Sequence, residues 1–288
     1  MPVLTLIPLA FALTLPVLTP EVGDPREEAA AVVRGGLIAA RGADPEPGQR
    51  LHDLARIAER AGDLLGEARS ADLLRRQVSA ARWRALADEA AAARWLEAEL
   101  ERTAADLAFT PIREAELPVG FPEPTPVLEI ELKSYPAYRM ASAPSNGPGG
   151  GFWTLFRHIE SHEIAMTAPV EMTYAGEEAL REERMAFLYG SMEIGEAGRD
   201  GRVEVVDVEP AWVVSMGCRG RMTRARVNEA REELERWVER STAWELAGPL
   251  RSMGYNSPMV PASRSYFEVQ LPVRPKAGAE VARASSAR

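Results

Sequence analysis

The stretch FWTLFRHIESHEIAMTAPVEMTY, Phe152 to Tyr174, decides how this chain is read. Its first part sets Phe152, Leu155, Phe156 and Ile159 at i, i+3, i+4 and i+7, which gathers four large apolar groups on one helical face. In the second part Ile164, Met166 and Ala168 alternate with Ala165, Thr167 and Pro169. The period has dropped to two, and a strand is predicted directly after the helix. Pro169 has no N–H for a ladder bond, which puts it at an edge, a bulge or the end of that strand.

Outward from this stretch, residues 127–273 read as α+β. Leu128, Ile130 and Leu132 alternate with Glu129, Glu131 and Lys133, a strand with one wet face. Met185, Phe187 and Tyr189 alternate likewise, and so do Phe267, Val269 and Leu271 with Glu268 and Gln270. Asn146 to Gly151 is a glycine-rich loop with no lysine, so it lacks the phosphate cradle of a P-loop. A second helix is predicted after Thr223 as N-cap, with Val227, Ala230, Leu234, Trp237 and Val238 on one face. A weak internal duplication is visible. Tyr135-Pro136-Ala137-Tyr138 leads through a turn and a helix to Ala168-Pro169-Val170, and Glu209-Pro210-Ala211-Trp212 leads through a helix to Gly248-Pro249-Leu250.

Residues 24–110 are rich in Ala, Leu, Arg and Glu, all strong helix formers. Asp24-Pro25 reads as N-cap and N1 proline of a helix that stops near Arg41-Gly42. A second helical stretch covers Gln49 to Arg60. The longest spans 72–108, with Leu86, Ala90, Ala93, Leu96, Leu100, Ala104 and Leu107 on one stripe. That stripe needs a covering surface, either neighbouring helices or another chain. Trp83 and Trp95 lie off its centre and are expected to dock onto the following domain. Five prolines between Pro111 and Pro126 predict an extended linker and place the domain boundary there. Residues 1–20 are apolar and uncharged. They read as an export signal, which puts the protein in the periplasm or outside the cell, or as an N-terminal anchor; a mis-assigned start, with a cytoplasmic protein, is the alternative. No other run is apolar enough to span a membrane, and residues 274–288 read as a disordered tail.

Three motifs in order carry a family resemblance: the acidic strand ending in Tyr135-Pro136-Ala137-Tyr138, the aromatic helix running into Ile164-Ala165-Met166-Thr167-Ala168-Pro169-Val170, and Gly254-Tyr255-Asn256-Ser257-Pro258 before the last strand. Together they resemble the SOUL/haem-binding protein family over residues 127–273. The resemblance implies a distorted β-barrel of two duplicated β-α-β-β halves with two packed helices, akin to the GyrI-like ligand-binding fold. It also implies haem or a related tetrapyrrole as cofactor or ligand, held reversibly by a non-catalytic carrier or buffer. It is silent on the all-α region before residue 111.

The residues themselves also point away from catalysis. There is no G-x-S-x-G and no H-E-x-x-H, and three histidines with one cysteine cannot close a zinc site without carboxylates. The net charge of −9 argues against a nucleic-acid partner. Haem requires an apolar slot, cations for its propionates and optionally an axial ligand. Nine of the ten methionines lie in the second domain and would suit an adaptable slot. Alternation puts Tyr138 with Met140, and Met166 with Ile164, on an inner face. Phe152 and Phe156 supply aromatic surface, Arg157 a propionate partner with Arg139 and Arg219 as others, and His158 and His162 are the candidate axial ligands. On the helical wheel His158 falls near Thr154, away from the apolar face. It is therefore expected to point outward and is the candidate iron ligand. Two other readings remain open: another apolar small molecule in the same fold, and a structural module assembled through helices 72–108.

Overall fold

The computed structural model describes residues 23–42, 45–145, 150–176 and 181–278. The expected export or anchor segment at 1–20 lies outside them, as do residues 146–149 of the glycine-rich loop and 279–288 of the tail. No described helix is long and apolar enough to cross a membrane.

Four helices come first: α1 (Pro25–Gly42), α2 (Pro47–Leu65), α3 (Arg69–Ala85) and α4 (Glu89–Leu107). Asp24 caps α1, its Oδ1 accepting from Arg26 N at 2.9 Å. The single helix expected over 72–108 is two helices. Neither Gly nor Pro marks the break; Asp88 makes it, accepting from Ala91 N at 2.8 Å as the N-cap of α4. Ala93, Leu96, Leu100, Ala104 and Leu107 then pack with Leu54, Leu74 and Val33 in one core. The stripe is therefore covered by its own chain and is not left for a partner, while Leu86 falls in the break and is exposed. The tryptophans do not dock on the second domain. Trp83 is 75% exposed, and Trp95 packs on the helical core under the Arg84 guanidinium, 4.0 Å from its ring centroid.

The second part is one antiparallel sheet with two helices. Its strands are β1 (Ile130–Tyr135), β2 (Tyr138–Pro144), β3 (Val170–Ala175), β4 (Arg181–Leu188), β5 (Gly198–Asp200), β6 (Val203–Val208), β7 (Ala211–Arg219), β8 (Trp244–Leu246), β9 (Arg251–Gly254) and β10 (Tyr266–Pro275). Helix α5 (Gly150–Ser161) lies between β2 and β3, and α6 (Arg224–Arg240) between β7 and β8. The order across the sheet is β1-β7-β10-β9-β3-β4-β2-β6-β5, with β8 on β10. The sheet is open: β1 and β5 are its edges and do not pair, so the distorted barrel is not formed. Tyr135-Pro136-Ala137-Tyr138 is no hairpin. It carries the chain from β1, beside β7, to β2, between β4 and β6. The last strand runs on to Pro275, so the tail begins later than residue 274.

Residues 164–168 are not a strand either. β3 starts only at Val170, and the approach is pinned sideways. Ala168 N donates to Glu116 O at 3.0 Å and Thr167 Oγ1 to Leu188 O at 2.6 Å. Both groups are spent before any ladder forms, and Pro169 has no N–H to start one.

Register shows which side chains share a face. Val205, Ala141, Phe187, Val170, Gly254, Phe267 and Cys218 are successive cross-strand neighbours. Both helices pack on this face: α5 through Leu155 and Ile159 over Ala141, Phe187 and Val205, and α6 through Val227, Leu234 and Val238 over Val214, Phe267 and Val269. The opposite face carries Lys133, Tyr138, Glu171, Arg251, Glu268 and Gln270, all buried. Its cover is the segment expected as a linker. Phe121 meets Tyr135 and Tyr138 edge-on at 4.9 and 5.1 Å, Phe109 stacks on Tyr266, and Thr125 N donates to Glu268. Residues 109–128 are extended, but they form a strap on the sheet rather than a free spacer. The Tyr255-Asn256-Ser257 motif fastens it: Asn256 Nδ2 donates to Ile112 O and Ser257 N to Glu114.

Candidate functional site

Two places gather chemistry-bearing side chains, one on each face of the sheet. Under the strap, Glu268 is 0% exposed and receives hydrogen bonds from Lys133 Nζ (2.6 Å), Tyr255 Oη (3.0 Å), Tyr266 Oη (3.2 Å) and Gln270 Nε2 (2.8 Å). Beside it Arg251 donates to Tyr138 Oη at 2.8 Å and Glu171 at 3.2 Å, and its guanidinium lies 5.1 Å from the Tyr135 ring centroid. Burial alone would drive the charge off Arg251. Glu171 and the hydroxyls of Tyr138 and Tyr135 more than offset this, so its pKa is raised. Burial, then the Glu171 charge, pushes the Tyr138 hydroxyl up, so it stays a neutral donor and acceptor. This face is a filled polar core. Tyr138, expected to line a slot, belongs to it and is buried; Met140 shares its strand face and is half-buried.

The methionines do not converge on one slot. Met172, Met185, Met216 and Met222 fill the core beneath α6, Met253 packs under the strap, and Met259 is exposed. They are gap-filling core and surface residues.

The second place is α5. Its buried residues are Gly151, Leu155, His158 and Ile159. This stripe is rotated roughly 70° from the one centred on Phe152, Leu155, Phe156 and Ile159. His158 is therefore turned inward, contrary to expectation, and is only 6% exposed. Its Nδ1 lies 2.8 Å from Asp200 Oδ2 and its Nε2 2.9 Å from Tyr189 Oη, so both ring nitrogens have protein partners. Placed so, it does not project toward a haem disc lying on the surface. His162 follows α5, is exposed, and holds the His158 carbonyl through Nδ1 at 2.8 Å.

The same rotation leaves Phe152 and Phe156 half-buried at the rim of the core and Trp153 outside it. Trp153 is 60% exposed and meets Phe152 and Phe156 edge-on at 5.5 and 5.8 Å, while Phe152 and Phe156 stack at 6.0 Å. Arg157, exposed on the next turn, donates Nε to Trp153 O at 3.2 Å and has no carboxylate partner among the described residues. The other cations considered for propionates are engaged: Arg139 with Asp207 at 2.7 Å and Arg219 with Asp106 at 2.5 Å. Met166, in the segment leaving α5, is exposed. Alongside the helix runs a shallow groove of about 390 Å³ lined by Thr154, Arg157, His158, Ser161, Asp200, Arg202 and Val203. Cys218 offers no thiolate, since burial pushes its pKa up to about 12.

The structure thus brings Phe152, Phe156 and Arg157 together on α5, near His158 and His162, and places Tyr138 and Met140 on the other side of the sheet. Sequence reading missed Trp153, Tyr189 and Asp200. The exposed tryptophan next to Phe152 was the available signal. Asp200 sits in a short strand that reads as a turn, and nothing local connects it to residue 158.

Against this geometry, the model of the SOUL heme-binding protein family matches residues 125–272, half of the chain, and the chain belongs to that family. No curated protein matches it. Among solved structures it is similar to EcmrR in an EcmrR–DNA complex (17% identity, TM-score 0.39), covering 51% of this chain and 57% of that one. It is also similar to a hydrolase from Listeria innocua (11% identity, 53% of this chain, 94% of that one, TM-score 0.39). A third is SAV2435 bound to tetraphenylphosphonium (13% identity, 51% of this chain, 94% of that one, TM-score 0.34).

Proposed function

We propose that the chain binds haem or a related tetrapyrrole reversibly on the outward surface of α5, as a non-catalytic carrier or buffer. Family membership motivates the ligand, and the aromatic ledge of Phe152, Trp153 and Phe156 carries the location. A flat apolar macrocycle gains most from exposed aromatic faces, and the Arg157 guanidinium beside them suits a propionate. Met166 and His162 are exposed near the same end of the helix, whereas His158 is buried. The binding energy in this reading comes from apolar contact rather than from a dedicated iron ligand.

The fold suits a ligand on the outside, because the inner face is filled and strapped. The strand order also supports the reading of two duplicated halves. From the centre, β9-β10-β7-β1 mirrors β3-β4-β2-β6, and each half carries one helix. Residues 109–276 are the proposed binding unit, with the helical bundle as a structural extension.

An absorbance titration with haemin tests the proposal. Trp153→Ala is expected to weaken binding about tenfold, or ~1.4 kcal/mol, without lowering the melting temperature, because the side chain is mostly exposed. Absence of saturable haemin binding by the parent, or unchanged affinity in Trp153→Ala, would refute it.

A further inference from the structure

We propose that His158, His162 and Asp200 form a binding site for a divalent transition-metal ion of the zinc type. One ligand atom from each lies within 4.8 Å of the others. His158 and His162 are four residues apart at the end of α5, their ring centroids 4.4 Å apart. Asp200 closes the site from β5, on a different element, its Oδ2 2.8 Å from His158 Nδ1.

The donor set matches the ion class. Two imidazoles and a carboxylate suit zinc, cobalt or nickel, whereas calcium and magnesium prefer an all-oxygen shell. Ligand atoms around a tetrahedral zinc stand about 3.3 Å apart. His158 and Asp200 need open by only about 0.5 Å from hydrogen-bond distance to reach that spacing. Tyr189 supplies the outer support: its Oη lies 2.9 Å from His158 Nε2 and would accept that N–H in the metal-bound tautomer, which leaves the Nδ1 lone pair for the ion. On binding, the proton that now bridges Nδ1 and the Asp200 carboxylate passes through solvent to Nε2, and one N–metal and one O–metal bond replace the hydrogen bond.

Accessibility is also in place. The Asp200 side chain is 57% exposed, and the groove alongside α5 opens onto it. Water or an anion completes the coordination from that side. Arg157 and Arg202 line the same groove and oppose a bare dication, so affinity on the order of micromolar is expected, weaker than for a closed four-ligand site. Bound metal would tie the β5–β6 hairpin to the end of α5.

The test is calorimetric titration of the untagged full-length chain with zinc chloride, with cobalt absorbance as a check of geometry. One zinc per chain is expected, with a melting temperature that rises with zinc concentration. His162→Ala and Asp200→Asn change exposed side chains, so both keep the fold, and each should weaken binding at least tenfold. His52→Ala, on the distant α2, should leave it unchanged. No saturable zinc binding by the parent, or parental affinity in both His162→Ala and Asp200→Asn, would overturn the proposal.

Discussion

Lys133→Met measures whether the inner face of the sheet is a packed charge network or a slot in waiting. The ammonium lies 2.6 Å from Glu268 Oε1, with side-chain exposures of 5% and 0%. It also donates to the Glu123 carbonyl at 2.7 Å, on the strap. Removing one partner of a buried pair costs about 3–5 kcal/mol, because the remaining charge is left uncompensated. Here the carboxylate keeps neutral donors in Thr125 N, Tyr255, Tyr266 and Gln270. Burial, then the Glu268 charge, raises both tyrosine hydroxyls well above their usual range, so they remain protonated donors. Lys133→Met should therefore sit at the low end, about 3 kcal/mol, or roughly 6–12 °C in melting temperature for a protein of this size. Glu268→Leu is the harsher change. It leaves the ammonium without its counter-ion and orphans Thr125 N and the Tyr255 hydroxyl at about 1–3 kcal/mol each, while Tyr266 keeps Thr125 O and Gln270 keeps Tyr135 Oη. Urea unfolding followed by circular dichroism gives both values. A cost below about 1 kcal/mol for Lys133→Met, or the reverse order of the two variants, would refute the reasoning.

Three further outcomes follow from the same geometry. His158→Ala should destabilise by about 2–4 kcal/mol, since it empties part of a buried stripe and strands Tyr189, while His162→Ala should stay within about 0.5 kcal/mol; thermal melts separate them. A fragment of residues 109–278 should unfold cooperatively by circular dichroism, and one of 127–278 should not, because it lacks the strap over Glu268 and Tyr138. In the helical bundle, burial works against the Glu97 charge, but Arg41 and Arg50 win and hold its carboxyl below the usual range. A depressed carboxylate contributes stability above its unfolded pKa and loses it as pH falls through the folded one. Glu97→Gln should therefore lower the melting temperature at pH 7 and narrow the gap between pH 7 and acid; an unchanged gap would contradict the assignment.

Much of the architecture was legible because it rests on local patterns. Asp24-Pro25, Thr223 and the stripe from Val227 to Val238 gave α1 and α6, and the alternations around Ile130, Phe187 and Val269 gave three strands. What failed depended on what covers a face. Lys133 and Glu268 alternate with apolar residues and read as wet, yet the proline-rich strap buries both. Alternation reports that two faces differ, not that one is solvated. The strand expected at Ile164–Ala168 was lost to hydrogen bonds that Ala168 N and Thr167 Oγ1 donate to the carbonyls of Glu116 and Leu188, distant in sequence. On α5 the large aromatic residues drew the predicted stripe toward Phe156, whereas the fold buries Gly151 and His158 and leaves Trp153 outside. A wheel weighted by hydrophobicity alone has no means of anticipating that Asp200 and Tyr189 would satisfy an inward imidazole.

In the proposed mode of binding, a tetrapyrrole is held by the aromatic ledge of α5 rather than by a dedicated iron ligand. Parallel absorbance or fluorescence titrations of the full-length chain with haemin and with iron-free protoporphyrin test it most directly. The two dissociation constants should fall within about tenfold of each other, a gap of ~1.4 kcal/mol, and Trp153→Ala should weaken both alike. Tight haemin binding without protoporphyrin binding would mean that iron coordination dominates, and it would contradict this mode of binding.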